Sequence, residues 1–339
     1  MQMKKWLEAQ ISDTKKKSMP ILSFPCISLL DITVRQLVEN SDLQARGMKL
    51  VAEAVDSSAS VSMMDLSVEA ETFGSDIVFT DDEVPTVRGS VVNSEEDAKA
   101  LKVPAVGSGR TGIYIEAIEK VCKTITDRPV FAGVIGPFSL AGRLMDVGEA
   151  MANCIDEPEM VHAVMEKTTQ FLIEYIKAYK AVGANGVVLA EPLTGMLSPS
   201  LAAEFSEPYV RKINEAVQDD EFIVIYHNCG DNTVYMVDSI LATGSAAYHF
   251  GNAIKMSDML PHIPKDILVM GNVDPAGVIR AGTPESIYVE TTALLKECTL
   301  DYPNFVISSG CDIPPLTSWE NIHGYFKAVK DFYTMNEQN

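Results

Sequence analysis

The amino-acid sequence predicts an α/β protein built as a parallel (β/α)8 barrel. Three observations lead there. Across 339 residues, eight short β-branched apolar runs alternate with longer amphipathic stretches. Residues capable of chemistry gather just after those runs, and no Pro/Gly-rich linker or fixed-period repeat divides the chain. An open doubly wound sheet competes for the same alternation. Residues 1–18 read as an N-terminal helical extension and 19–339 as one barrel domain.

The expected strands are Pro20–Ile27, Ser60–Asp65, Val130–Ile135, Gly186–Ala190, Phe222–His227, Ala246–Phe250, Ile267–Met270 and Phe305–Ser309. Between the second and third, Ile77–Gly89 has two strand-like halves around Asp81-Asp82 and predicts an inserted β-hairpin. Ser94–Thr111 reads as loop with short helical pieces. Helical periodicity covers Glu157–Val182, Ser198–Gln218, Val234–Leu241 and Pro284–Cys298. The longest of these ends at Gly183, a suitable C-cap. Ser198-Pro199 and Thr283-Pro284 each pair a capping side chain with a proline in the first turn.

Charge and cysteine content narrow the function. With 27 Lys+Arg against 47 Asp+Glu, the formal charge is −20. Such a surface is unsuited to nucleic acid, which needs clustered cations, and would be repelled by anionic lipid. No apolar run approaches the roughly 20 residues that span a bilayer, and no export signal is visible, so the expected partners include no membrane. Six dispersed cysteines are too few for a disulfide scaffold and imply reduced thiols in the cytoplasm. Dinucleotide fingerprints, Walker loops and Gly-x-Ser-x-Gly elbows are missing from the sequence. The sixteen methionines are scattered and read as core filler.

Side chains that do chemistry in a parallel barrel sit where strands end. The fifth strand runs into His227-Asn228-Cys229-Gly230, and the eighth into Gly310-Cys311-Asp312. Residues two apart on a strand face the same way, so His227 and Cys229 can share a ligand while Asn228 points elsewhere. With Cys311 they make three borderline or soft donors, a set that suits Zn2+ with one position open. Ordinary packing of a core histidine and two small thiols is the bland reading. Glu191 closes the fourth strand and is a candidate catalytic base, fourth metal ligand or partner for a cationic group, with loop ordering as the structural reading. Asp65 and Glu69 after the second strand, His249 on the sixth, and Asn272 and Asp274 after the seventh are candidates for substrate binding. His249 also competes for the fourth-ligand role.

The motifs His227-x-Cys229-Gly, Gly271-Asn-Val-Asp-Pro and Ser309-Gly-Cys311-Asp-Ile-Pro-Pro resemble those of the zinc-dependent corrinoid methyltransferases in the uroporphyrinogen decarboxylase superfamily. The methylcobamide:coenzyme M methyltransferases are its best-known members. The resemblance runs from the first strand to about Tyr325, strongest in the C-terminal half. It implies a (β/α)8 TIM barrel of the uroporphyrinogen decarboxylase type, zinc held by His227, Cys229 and Cys311, and a role in one-carbon metabolism such as methanogenesis or acetogenesis. The implied reaction moves a methyl group between a methylcobamide and a thiol such as coenzyme M. The chain has no Asp-x-His-x-x-Gly stretch, so a partner corrinoid protein is expected to carry the corrinoid. The reverse direction, demethylating a methoxy or methylamine compound onto the corrinoid, is an alternative, as is tetrahydrofolate as acceptor. A decarboxylase-like enzyme or a tetrapyrrole-binding barrel is a further one. True decarboxylases carry arginines near the first strand, and here Arg35 is the nearest.

Overall fold

A computed structural model describes residues 1–335. The strands are β1 (Ser60–Val61), β2 (Asp76–Val78), β3 (Thr86–Arg88), β4 (Val130–Ile135), β5 (Gly186–Ala190), β6 (Ile223–Asn228), β7 (Ala247–Phe250), β8 (Leu268–Val273) and β9 (Phe305–Ser309). Seven of them form one parallel sheet in the order β1-β4-β5-β6-β7-β8-β9, while β2 and β3 pair antiparallel by themselves. Helices between successive strands clothe the outside, the longest being Pro158–Ala181. Gly183 follows it at φ +103°, a left-handed position that glycine adopts without a Cβ clash. Among the described residues, no helix is long and apolar enough to cross a membrane.

The first expected strand, Pro20–Ile27, is not a strand. Segment 18–22 lies extended between the two edges of the sheet. Ser58 donates its N–H to the Ser18 carbonyl, and Met19 donates to the Ile307 carbonyl. Pro20 has no N–H to give. Serine hydroxyls replace main-chain partners around it: Ile21 N–H donates to Ser309 Oγ at 3.0 Å, and Ser308 Oγ donates to the Met19 carbonyl at 2.6 Å. The segment therefore closes the barrel in the eighth position without a regular ladder. Its expected end is instead a short helix, Cys26–Leu30, entered through Pro25 at φ −58°.

Two other expectations are corrected. β1 is only two residues long, because the Ser62 hydroxyl, not a main-chain carbonyl, accepts the Gly133 N–H at 2.9 Å. The helix expected over Ser198–Gln218 breaks into Pro199–Phe205 and Glu207–Val217. Pro208 offers no N–H to continue the first helix, so the chain restarts at Ser206. Ser198 and Thr283 do cap their helices, each accepting an N–H three residues on.

Alternation with period two separates two cores. Val188, Ala190, Ile223, Ile225, Ala247, Leu268, Met270 and Val306 fill the barrel interior, joined by Met19 and Ile21 of the closing segment. The intervening residues pack outward under the helices. The lower end of the interior is covered by the N-terminal helix Met3–Ser12. Its Met3 and Trp6 are buried in that inner cluster, with the Trp6 ring 5.6 Å from Phe131.

Candidate metal centre at the barrel mouth

Following the inner rows upward leads to the site. On β6 the sequence of inward residues is Ile223, Ile225, His227; on β7 it is Ala247, His249; on β9 it is Val306, Ser308. His227 and His249 are register partners on neighbouring strands. The apolar interior thus ends in a polar rung, with Cys229 and Cys311 in the loops directly above.

His227, Cys229 and Cys311 converge: one ligand atom from each lies within 4.8 Å of the others. His227 Nε2 faces Cys311 Sγ at 3.7 Å. His227 Nδ1 is turned away, 2.8 Å from His249 Nδ1. Tetrahedral zinc with Zn–N near 2.0–2.1 Å and Zn–S near 2.3 Å places its nitrogen and sulfur ligands about 3.6 Å apart. One imidazole and two thiols at this spacing therefore fit such an ion, with a coordination position left over. The two thiols are not equivalent. A hydrogen bond from Cys311 holds Cys229 below the ordinary thiol range, whereas that same bond, then burial, pushes Cys311 up to about 12. Elsewhere burial pushes Cys26, Cys154 and Cys298 to about 12 and Cys122 to about 11. Cys229 is the thiol best prepared to ionise.

Glycines let three loops meet around the sulfurs. A Cβ on Gly251 would lie 2.5 Å from the Cys229 Cα and 3.2 Å from the Gly310 carbonyl oxygen. Gly251→Ala must therefore displace Cys229. The expected result is weaker metal retention, by about the 10–100-fold typical of a lost supporting residue, measured by chelator competition, with a modest loss in thermal melting.

The remaining candidates divide. His249 is buried against His227, and its other nitrogen, Nε2, lies 2.7 Å from Ser308 Oγ. Asn272 donates to the carbonyls of Gly251 and Ile254, pinning the loop after β7. Asp274 accepts the N–H groups of Ala276 and Gly277, capping the next helical turn. Glu191 is fully buried, accepting from Ser139 N, Thr194 Oγ1 and Ser206 Oγ, and burial pushes it up to about 7. Those bonds tie together the loops after β4 and β5. Asp65 is bonded by Arg110, Tyr114 and Ser67, and Arg110 also reaches Glu71 at 2.6 Å.

Glu69 accepts from the Ile135 N–H at 3.1 Å, while its Oε2 has no hydrogen-bond partner among the described residues. Burial pushes Glu69 up to about 8 from 4.5. The folded protein thus binds this proton more tightly than the unfolded chain does. Stability from this group is complete below pH 4.5 and falls as pH rises toward 8, by about 1.4 kcal/mol per pH unit for one proton. Glu69→Gln should flatten this decline and melt higher than the parent above pH 8, as followed by urea titrations across pH.

Ser308, Arg110 and Asp312 were not singled out by sequence. Ser308 was open to discovery through its two-residue spacing from Val306. Arg110 lies in a loop 45 residues from Asp65 and carries no local signal. Asp312 is held well above the carboxylate range by burial and then by Cys311.

The comparisons with known proteins agree on lineage. The uroporphyrinogen decarboxylase (URO-D) family model matches residues 28–332. Over 273 residues the chain is 27% identical to the methylcobamide:CoM methyltransferase MtbA of Methanosarcina acetivorans, covering 79% of this chain and 78% of that protein. It is 25% identical over 305 residues to the uroporphyrinogen decarboxylase of Alcanivorax borkumensis, covering 86% and 84%. A solved methyltransferase from Methanosarcina mazei superposes with a TM-score of 0.84 at 21% identity, covering 98% of this chain and 99% of that one. This last likeness establishes the shared barrel fold.

Proposed function

The chain belongs to the uroporphyrinogen decarboxylase (URO-D) family, and from that premise we propose that it is a zinc-dependent methyltransferase. It transfers a methyl group between a methylcobamide, carried on a partner corrinoid protein, and a small thiol. The observation that carries this reading is the convergence of His227 Nε2, Cys229 Sγ and Cys311 Sγ at the barrel mouth. Relatives named as decarboxylases and as methyltransferases match at similar identity, so the donor set, not overall likeness, supports the choice.

His227, Cys229 and Cys311 are the residues we assign to hold the metal. Zinc bound there supplies the Lewis acidity that keeps a substrate thiol ionised at neutral pH. The acceptor sulfur takes the methyl group by in-line displacement, the cobalt–carbon bond breaking to leave Co(I) on the partner's corrinoid, so the sulfur must be close, unprotonated and correctly aimed. Asn272 contributes by pinning the loop after β7, and Gly251 by letting Cys229 sit against that loop. Glu191 and Asp65 act on the frame: their carboxylates are bonded to neighbouring loops and helices. Glu69 and Asp312 each keep one buried carboxyl oxygen without a hydrogen-bond partner among the described residues, and we assign Glu69 to substrate binding.

The test uses free methylcobalamin as donor and coenzyme M, then other small thiols, as acceptors. Loss of the cobalt–carbon bond is followed optically. Thiol-dependent demethylation that stops on chelation and returns with zinc is the expected result. Decarboxylation of uroporphyrinogen by metal-free protein, with no thiol accepted, would overturn the reading.

A further inference from the structure

The hydrogen-bond chain behind His227 determines which of its nitrogens carries a proton, and the determination starts at a backbone carbonyl. Met19 O has only lone pairs, so the 2.6 Å contact with Ser308 Oγ consumes the single hydroxyl hydrogen of Ser308. At its 2.7 Å contact with His249 Nε2, Ser308 Oγ must then accept, and His249 Nε2 carries hydrogen. His249 is 1% exposed, and its Nε2 and Nδ1 face a hydroxyl and another imidazole. An imidazolium buried beside uncharged partners is strongly disfavoured.

A neutral His249 with hydrogen on Nε2 has a lone pair on Nδ1. The 2.8 Å separation from His227 Nδ1 then requires the hydrogen between them to belong to His227. His227 is left with an unprotonated Nε2, the atom that faces Cys311 Sγ at 3.7 Å. We propose that His249 is a positioning residue that, with Ser308 and the Met19 carbonyl, locks His227 in the tautomer whose Nε2 is free to bind metal before any metal arrives. The proposal rests on the metal reading above and adds a residue to it.

The choice of partner has an electrostatic effect. Metal-bound histidines commonly donate to a carboxylate. With a divalent cation bound, the Cys229 and Cys311 thiolates would already balance its charge, and a carboxylate behind His227 would make the centre anionic. A neutral imidazole performs the orienting task without that charge, which favours entry of a substrate thiolate into a chain of net charge −20.

Two experiments decide it. Zinc-loaded parent, His249→Leu, His249→Asn and Ser308→Ala proteins are titrated against a chromophoric chelator, with thermal melting recorded for each. Leucine and asparagine are nearly isosteric, but asparagine can place an acceptor oxygen where Nδ1 was. His249→Leu should weaken zinc retention about 10–100-fold, and His249→Asn should restore most of it at a similar melting temperature. Equal weakening in both variants, or none in either, overturns the proposal. The second experiment needs no variant to fold: long-range 1H–15N spectra of the metal-free parent, labelled at its five histidines, should show hydrogen on His227 Nδ1 and on His249 Nε2. Hydrogen on His227 Nε2, or a charged His249, overturns it. A parent that binds no zinc overturns the metal reading instead, and the metal-free spectra still decide the lock.

Discussion

Cys311→Ala is expected to bring the zinc content of the purified protein from about one ion per chain to almost none, because a two-ligand remnant cannot compete with solvent for the metal. Thiol-dependent demethylation should fall with it, by more than the ~10–100-fold assigned to supporting residues. Fold should survive: Cys311 sits in a loop after β9, and burial of a small thiol is a minor part of the core. Metal analysis beside a melting curve is the measurement. A folded variant with full zinc would mean that the cysteines are packing residues and that the donor cluster has another use. Cys229→Ala should give the same result, since both sulfurs belong to one set of atoms within 4.8 Å.

The largest stability effect is expected from Arg110→Met. The Asp65 carboxylate is entirely inaccessible and is paired with the Arg110 guanidinium, itself 6% exposed. Removing the cation strands a buried anion, a change that costs about 3–5 kcal/mol. The guanidinium also covers the Phe79 ring at 4.9 Å, with Arg35 at 5.6 Å from the same ring, so the segment after β2 should loosen too. Urea denaturation monitored by circular dichroism reads the first effect, and proteolysis near Phe79 the second. Adding Asp65→Leu should recover a large part of the loss, because an apolar pair removes the stranded charge. An Arg110→Met protein as stable as its parent would show that Asp65 finds another partner.

What sequence could disclose here follows from the range of each interaction. Strands β4 to β9 declared themselves through local alternation, and the rim residues His227, Cys229 and Cys311 through their places at strand ends. The closing segment 18–22 misled because its composition is that of a strand while Pro20 and two serine hydroxyls displace the ladder. β1 ended early for a related reason, a side-chain hydroxyl standing in for a carbonyl at Ser62. His249 could be placed at the mouth from sequence, yet its role depends on Ser308, 59 residues later, and on Met19 at the other end of the chain. The Asp65–Arg110 pair is likewise non-local. Periodicity reports which face a residue occupies, and it carries no information about which partner across the barrel receives its hydrogen.

Met3 and Trp6 over the lower end of the interior have a kinetic consequence. With that end covered, the small thiol and protein-borne methyl donor of the proposed reaction would both approach from the opposite end of the barrel. The larger reactant, once seated, would obstruct the smaller, so the thiol would arrive first and its methylated form depart last. Under the proposed reaction, turnover would follow a compulsory order through a ternary complex, which initial-rate kinetics with both substrates varied would read.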